Sequence, residues 1–288
     1  MSAYQETYAV PHGGRPPEPP ELPAGADPAP RWPVWYAPVG FLVGFAITLF
    51  VSVIAGIVAA AAGVDVEDEI PPGLVVVLTL LQGVILSGTA IFLAGRTLRP
   101  RPWHFGLRRG RFWPSVGWSA LGLASFLVFA VFYSALVAPE GEQTVTEDLG
   151  ADESTLAMIA AGVVVIVVAP VAEEFFFRGF FYRALRSRLG VVAAAAIDGL
   201  VFGLIHFTGS DTLELLPILA VLGFIFCLVY ERTRTLYTVI GLHALNNSVA
   251  YGFEVETAEV SVVLGSVMLT ACMFGPRLFH APRAAARA

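Results

Sequence analysis

Long apolar runs separated by short polar connections fill the chain from about residue 36 to residue 276. A helix needs about 20 apolar residues, within a range of about 17–25, to cross the hydrocarbon core of a bilayer. Runs at 36–62, 73–95, 113–138, 156–182, 191–207, 213–230, 236–252 and 259–276 each predict such a helix. Trp32, Trp35, Trp103 and Trp113 stand beside run ends, where interfacial aromatics collect. The pattern predicts an all-α fold: a polytopic membrane helix bundle of about eight transmembrane helices, occupying residues 34–280.

The flanks read differently. Residues 1–33 include PHGGRPPEPPELPAGADPAPRWP, rich in Pro and Gly and poor in aliphatics. Such a segment buries too little surface to fold and predicts a disordered Pro-rich tail. It lacks the basic start and short apolar core of a signal peptide. Residues 281–288 predict a flexible basic tail.

Charge gives the bundle a direction. The connections alternate between acidic (DVEDE, EGEQTVTEDLGADE, Asp211 with Glu214, Glu254 to Glu259) and basic. The basic ones carry Arg96 to Arg111, then Arg183, Arg186 and Arg188, then Arg232 and Arg234, and finally Arg277, Arg283 and Arg287. Short basic loops stay on the cytoplasmic side, so both termini are expected there, in a plasma membrane.

Composition agrees. The chain is 56% hydrophobic and 14% charged, against about 25% charged in soluble domains. All 17 basic residues are Arg, which together with the many Ala suggests a bacterial source. The net charge of −6 says nothing useful alone, because its distribution matters more; no nucleic-acid partner is expected. Cys227 and Cys272 lie in apolar runs and read as small buried hydrophobes, with no disulfide framework or Cys metal site.

The candidate chemistry lies where charge is costly. A charged side chain at the centre of a bilayer costs about 2.5–3.5 kcal/mol on insertion scales. The residues that carry this cost, or accompany those that do, are Glu173, Glu174, Arg178, Asp198, His206, His243, Asn246 and Asn247. Glu174 and Arg178 are four apart and share a helix face, so they can pair. Glu173 is rotated about 100° from Glu174 and about 140° from Arg178, and so is left free for a polar cavity and a general-base role. Phe202 can pack under His206, four residues on. His243 and Asn247 share a face, with Asn246 to its other side. Pro170 removes a helical hydrogen bond three residues before Glu173 and can kink the helix there. Asp198 is either support for the cluster or a bystander. Taken singly, a membrane His can be an interhelical hydrogen bonder and a Glu–Arg pair can snorkel. Together, a carboxylate, two imidazoles and carboxamide donors are the parts that activate water and stabilise an oxyanion.

Three motifs occur in order: Glu173-Glu174-x-x-x-Arg178, Phe202-x-x-x-His206 and His243-x-x-x-Asn247. Over about residues 155–252 the chain resembles the type II CAAX prenyl endopeptidase family, also called CPBP (CAAX protease and bacteriocin-processing) intramembrane proteases. The resemblance implies an intramembrane endopeptidase that cleaves a membrane-embedded or membrane-anchored protein or peptide. It implies that Glu173 and His206 activate water, that His243 and Asn247 stabilise the oxyanion, and that Glu174 and Arg178, with Phe202 and Asn246 nearby, hold the site in shape. The family is often labelled metalloprotease. Zinc on Glu173, His206 and His243 is the metal alternative; HExxH is absent, and a metal-free glutamate mechanism is favoured. The rival functions are a bacteriocin-immunity or scaffold protein and a membrane transporter. A transporter commonly shows paired interrupted helices in repeated halves, and no such repeat is visible.

Overall fold

A computed structural model describes residues 32–65, 70–139, 145–255 and 258–279. The tails expected at 1–33 and 281–288 lie outside the described residues, apart from Trp32 and Pro33. The fold is all-helical. Its principal helices are α1 (Tyr36–Ala61), α2 (Pro72–Gly95), α3 (Phe112–Val137), α4 (Thr155–Leu185), α5 (Val191–Leu204), α6 (Leu216–Thr233), α7 (Leu236–Glu254) and α8 (Glu259–Phe279). All eight expected apolar runs are therefore helical. Among the described residues, six of these helices are long and apolar enough to cross a membrane: α1, α2, α3, α4, α6 and α8. Eight crossings are not established. α5 has only 14 residues, about 21 Å at 1.5 Å per residue, and ends at Leu204 although the apolar run goes on to Phe207. α7 carries the His and Asn residues that lower its hydropathy.

The outward face of the bundle is apolar. Leu136 is 83% and Phe253 87% exposed, with Phe50, Val131 and Phe132 also open. Contiguous apolar surface on this scale is unfavourable in water and suits lipid, so the chain is a multi-pass membrane protein. Trp32 departs from the interfacial expectation. It is fully buried, packed on Phe105 at 5.0 Å and Phe180 at 5.5 Å. Trp35 and Trp113 are exposed, as interfacial rings are.

The arginine-rich connections gather at one end. Arg108 Nε donates to Arg234 O at 2.6 Å, Arg183 Nη1 to Tyr230 OH at 2.8 Å, and Arg186 Nη2 to Glu231 Oε1 at 3.2 Å. Acidic connections meet elsewhere, where Thr146 Oγ1 donates to Glu254 Oε2 at 2.8 Å.

Close packing of α5 on α6 sets the site. Gly199 and Gly203 form a small-xxx-small face, which lets helices in lipid approach backbone to backbone. A Cβ at Gly199 would meet Ala220 O at 2.5 Å and Phe224 N at 2.7 Å. That approach brings α6, and with it the carbonyl of Gly223, against the middle of α4.

Candidate active site

The site begins with a defect in α4. Residues Val164–Val168 form a π turn, in which the Ala169 N–H bonds to Val164 O. Pro170 has no N–H to offer, so Val165 O has no helical donor at either spacing. Asn247 Nδ2 from α7 supplies one, at 3.0 Å. Asn246 Nδ2 reaches Asn247 Oδ1 at 3.4 Å and turns that amide group toward α4. The kink expected at Pro170 thus takes the form of a π segment, and the Asn247 bond to Val165 O ties α4 to α7 about two turns before the glutamates.

Glu174 and Arg178 are both fully buried and pair at 2.9 Å. Arg178 Nη2 also donates to Gly223 O at 2.8 Å, and its Nε stands 3.5 Å from Asp198 Oδ1. The guanidinium lies over Phe202 at 4.6 Å and Phe226 at 5.2 Å. A planar fork with several donors suits such a buried junction. Asp198 therefore joins the cluster, and its Oδ1 also accepts from the Cys227 thiol at 3.1 Å. Cys227 is buried as expected, with a polar contact that its apolar surroundings do not announce.

His243 is held between the adjacent glutamates. Its Nδ1 lies 2.8 Å from Glu174 Oε1. That oxygen also accepts from Arg178, as a carboxylate does, so Nδ1 carries a hydrogen and donates it to Glu174, which leaves Nε2 facing Glu173. Nε2 stands 3.9 Å from Glu173 Oε2. This is too long for a hydrogen bond and suits a single bridging water. Glu173 Oε2 is buried without a hydrogen-bond partner among the described residues. The Glu173 side chain is nevertheless 21% exposed, where Glu174 is closed off. The ring of His243 packs on Phe226 at 5.0 Å and Phe202 at 5.8 Å.

His206 lies just beyond the end of α5. Its Nδ1 contacts Phe202 O at 2.7 Å and its ring packs on Phe202 at 4.9 Å. Both imidazoles therefore touch one phenyl ring, but Glu173 has its ion-pair contact with His243 and not with His206. His243 sits only seven residues into α7, yet it reaches the glutamates because that helix starts inside the protein. Thr235 and Leu236 are buried, and Leu236 N donates to Gly106 O at 2.8 Å. Gly223 and Phe226 went unnoticed in the sequence, and Cys227 reads there only as a buried hydrophobe. Their spacing of three and four on one face of α6 is the signal that could have found them.

For zinc, Glu173, His206 and His243 would have to converge. Among the described residues no group of three His, Cys, Asp or Glu stands close enough together to hold a metal.

Residues 155–249 match the family model of the type II CAAX prenyl endopeptidase Rce1-like proteins. This is the family that the three motifs resemble, and the matched segment holds every residue of the cluster. A Bacillus subtilis (strain 168) protein named "Putative membrane peptidase YdiL" is 27% identical over 112 residues, covering 36% of this chain and 44% of that protein. The chain thus spans less than half the length of this curated relative. No solved structure matches. The Rce1-like segment begins at α4 and ends within α7, so α1 to α3 lie outside the matched region.

Proposed function

We propose that this chain is an intramembrane endopeptidase in which Glu173 activates a water held against His243. The observation that carries this reading is the 3.9 Å gap between Glu173 Oε2 and His243 Nε2, with Nδ1 of the same ring tied to Glu174. Glu173 takes the proton of the attacking water. His243, oriented by Glu174 as a histidine is by a carboxylate in other hydrolytic sites, holds that water and then faces the developing oxyanion. Asn247 keeps one amide hydrogen on Val165 O and has a second to offer. His206, fixed by Phe202, stands as the second proton carrier, reaching the substrate rather than Glu173. Glu174, Arg178 and Asp198 fix the geometry. No metal enters this scheme. The Rce1-like match and the relative named as a membrane peptidase support the reaction class.

The substrate is a membrane-embedded or membrane-anchored protein or peptide. By the positive-inside rule the arginine-rich end faces the cytoplasm, with both termini there, in a bacterial plasma membrane. The test is comparative proteomics of new protein termini in membranes carrying wild-type or Glu173→Gln protein at equal abundance. Termini that depend on wild type and vanish with Glu173→Gln are expected; identical sets of termini would overturn the reading.

A further inference from the structure

A cavity of about 280 Å³ lies between α3, α7 and α8, away from the glutamates. Leu123, Leu242, Leu245, Leu269 and Met273 form its apolar wall. Its polar groups are near the helix ends that meet the arginine-rich loops. Ser115 and Thr238 line it and bond to each other at 2.9 Å, and Arg277 closes that end.

Arg277 is the informative residue. Its Nη2 makes one long bond, 3.4 Å to Gly110 O, and its guanidinium lies 5.2 Å from the centroid of Phe112. No carboxylate pairs with it among the described residues, and the charged side chain that acts on it is another cation, Arg109. A guanidinium has five N–H donors, so most of these are open to an anion. The surrounding surface meets lipid, since Trp113 is 77% and Leu278 76% exposed.

We propose that this cavity binds an acyl chain of an anionic phospholipid, with the lipid phosphate on Arg277. Ligand pockets run from about 300 to 1,000 Å³, so this one takes part of a single chain while the rest of the lipid stays in the bilayer. An apolar slot that ends in hydroxyls and an unpaired guanidinium matches an amphiphile with a negative head, and charge complementarity selects that head over a zwitterionic one. Occupancy also has a consequence for α7. At about 100° per residue, Thr238, Gly241 and Leu245 lie about 140–160° around α7 from His243, so a bound chain braces the helix that presents the imidazole. The proposal does not depend on peptidase activity.

Native mass spectrometry of the full chain, equilibrated in micelles with equal phosphatidylglycerol and phosphatidylcholine of matched acyl chains, tests it. Wild type is expected to retain phosphatidylglycerol preferentially, on the order of fivefold, because both heads offer Arg277 a phosphate but only phosphatidylcholine sets a quaternary cation against Arg277 and Arg109. Arg277→Ala is expected to bring the ratio near one. Ala120→Phe, which fills the slot, is expected to lower retention of both lipids. Arg277→Ala changes a half-buried residue at a helix end and keeps the test usable if the bulkier variant does not fold. Equal retention by wild type, or a headgroup preference that survives Arg277→Ala, would overturn the proposal. So would a photoactivatable residue at Ser119 that crosslinks to protein, whether residues 280–288 of this chain or another polypeptide, rather than to lipid.

Discussion

The two nitrogens of His243 address two adjacent glutamates: Nδ1 lies 2.8 Å from Glu174 Oε1 and Nε2 lies 3.9 Å from Glu173 Oε2. Neighbouring residues on a helix point about 100° apart, so one imidazole can touch both only by approaching across the gap between them. The consequence is a division of labour. The buried glutamate fixes the ring, and the accessible one is left with an oxygen that no group among the described residues satisfies.

Loss of the arginine should unmake this arrangement. Arg178→Met leaves Glu174 and Asp198 as buried carboxylates without their cation, a defect worth about 3–5 kcal/mol. Arg178→Lys is expected to be only partly tolerated, because an ammonium cannot reach Glu174, Asp198 and Gly223 O in one plane. Denaturant unfolding of the purified protein in mild detergent checks the order: wild type above Lys, Lys above Met. Equal stability of the three would contradict the account of the buried cluster.

Asn247 has a structural duty beside any role in catalysis. Asn247→Ala leaves Val165 O without a donor, at a cost of about 1–3 kcal/mol. Loosening of α4 should follow, read as faster amide hydrogen exchange in residues 164–170 than in α1. Unchanged exchange there would show that the π segment holds itself.

Much of this was legible in the sequence, and the part that was not has a common cause. Helix positions follow from the apolar runs. The Glu174–Arg178 pair follows from i,i+4 spacing, and the packing of Phe202 on His206 likewise, because helical geometry alone decides both. The contacts of His243 with the glutamates depend on where α7 begins, which Gly106 and Thr235 set through long-range hydrogen bonds, so no local pattern reports them. The role of Gly223 is a backbone carbonyl, invisible in residue type. The shortness of α5 was missed because apolarity continues past Leu204 to Phe207 while the helix stops.

Gly199 is predicted to tolerate no side chain. Its Cβ would meet backbone atoms of Ala220 and Phe224, which cannot swing aside, so Gly199→Ala is expected to destabilise by about 1–3 kcal/mol. The same variant should lower activity by moving Gly223 O from Arg178. Gly117→Ala is the control, since nothing lies within 4 Å of its Cβ. Thermal unfolding of the two variants should separate them clearly; similar midpoints would contradict the close α5–α6 contact.

Chelation bears on the metal-free mechanism. Peptidase activity of the purified chain is expected to survive prolonged treatment with a strong zinc chelator. Loss of activity that added zinc restores would replace the glutamate mechanism with a metal one.

The shared water is the centre of the account, and an experimental density map of the full chain in lipid nanodiscs, at a resolution that shows ordered solvent, tests it most directly. The expected result is one ordered water within hydrogen-bonding distance of both Glu173 Oε2 and His243 Nε2, lost or displaced in Glu173→Leu. A map in which Glu173 turns to lipid, or in which the two side chains part beyond the reach of one water, would contradict it.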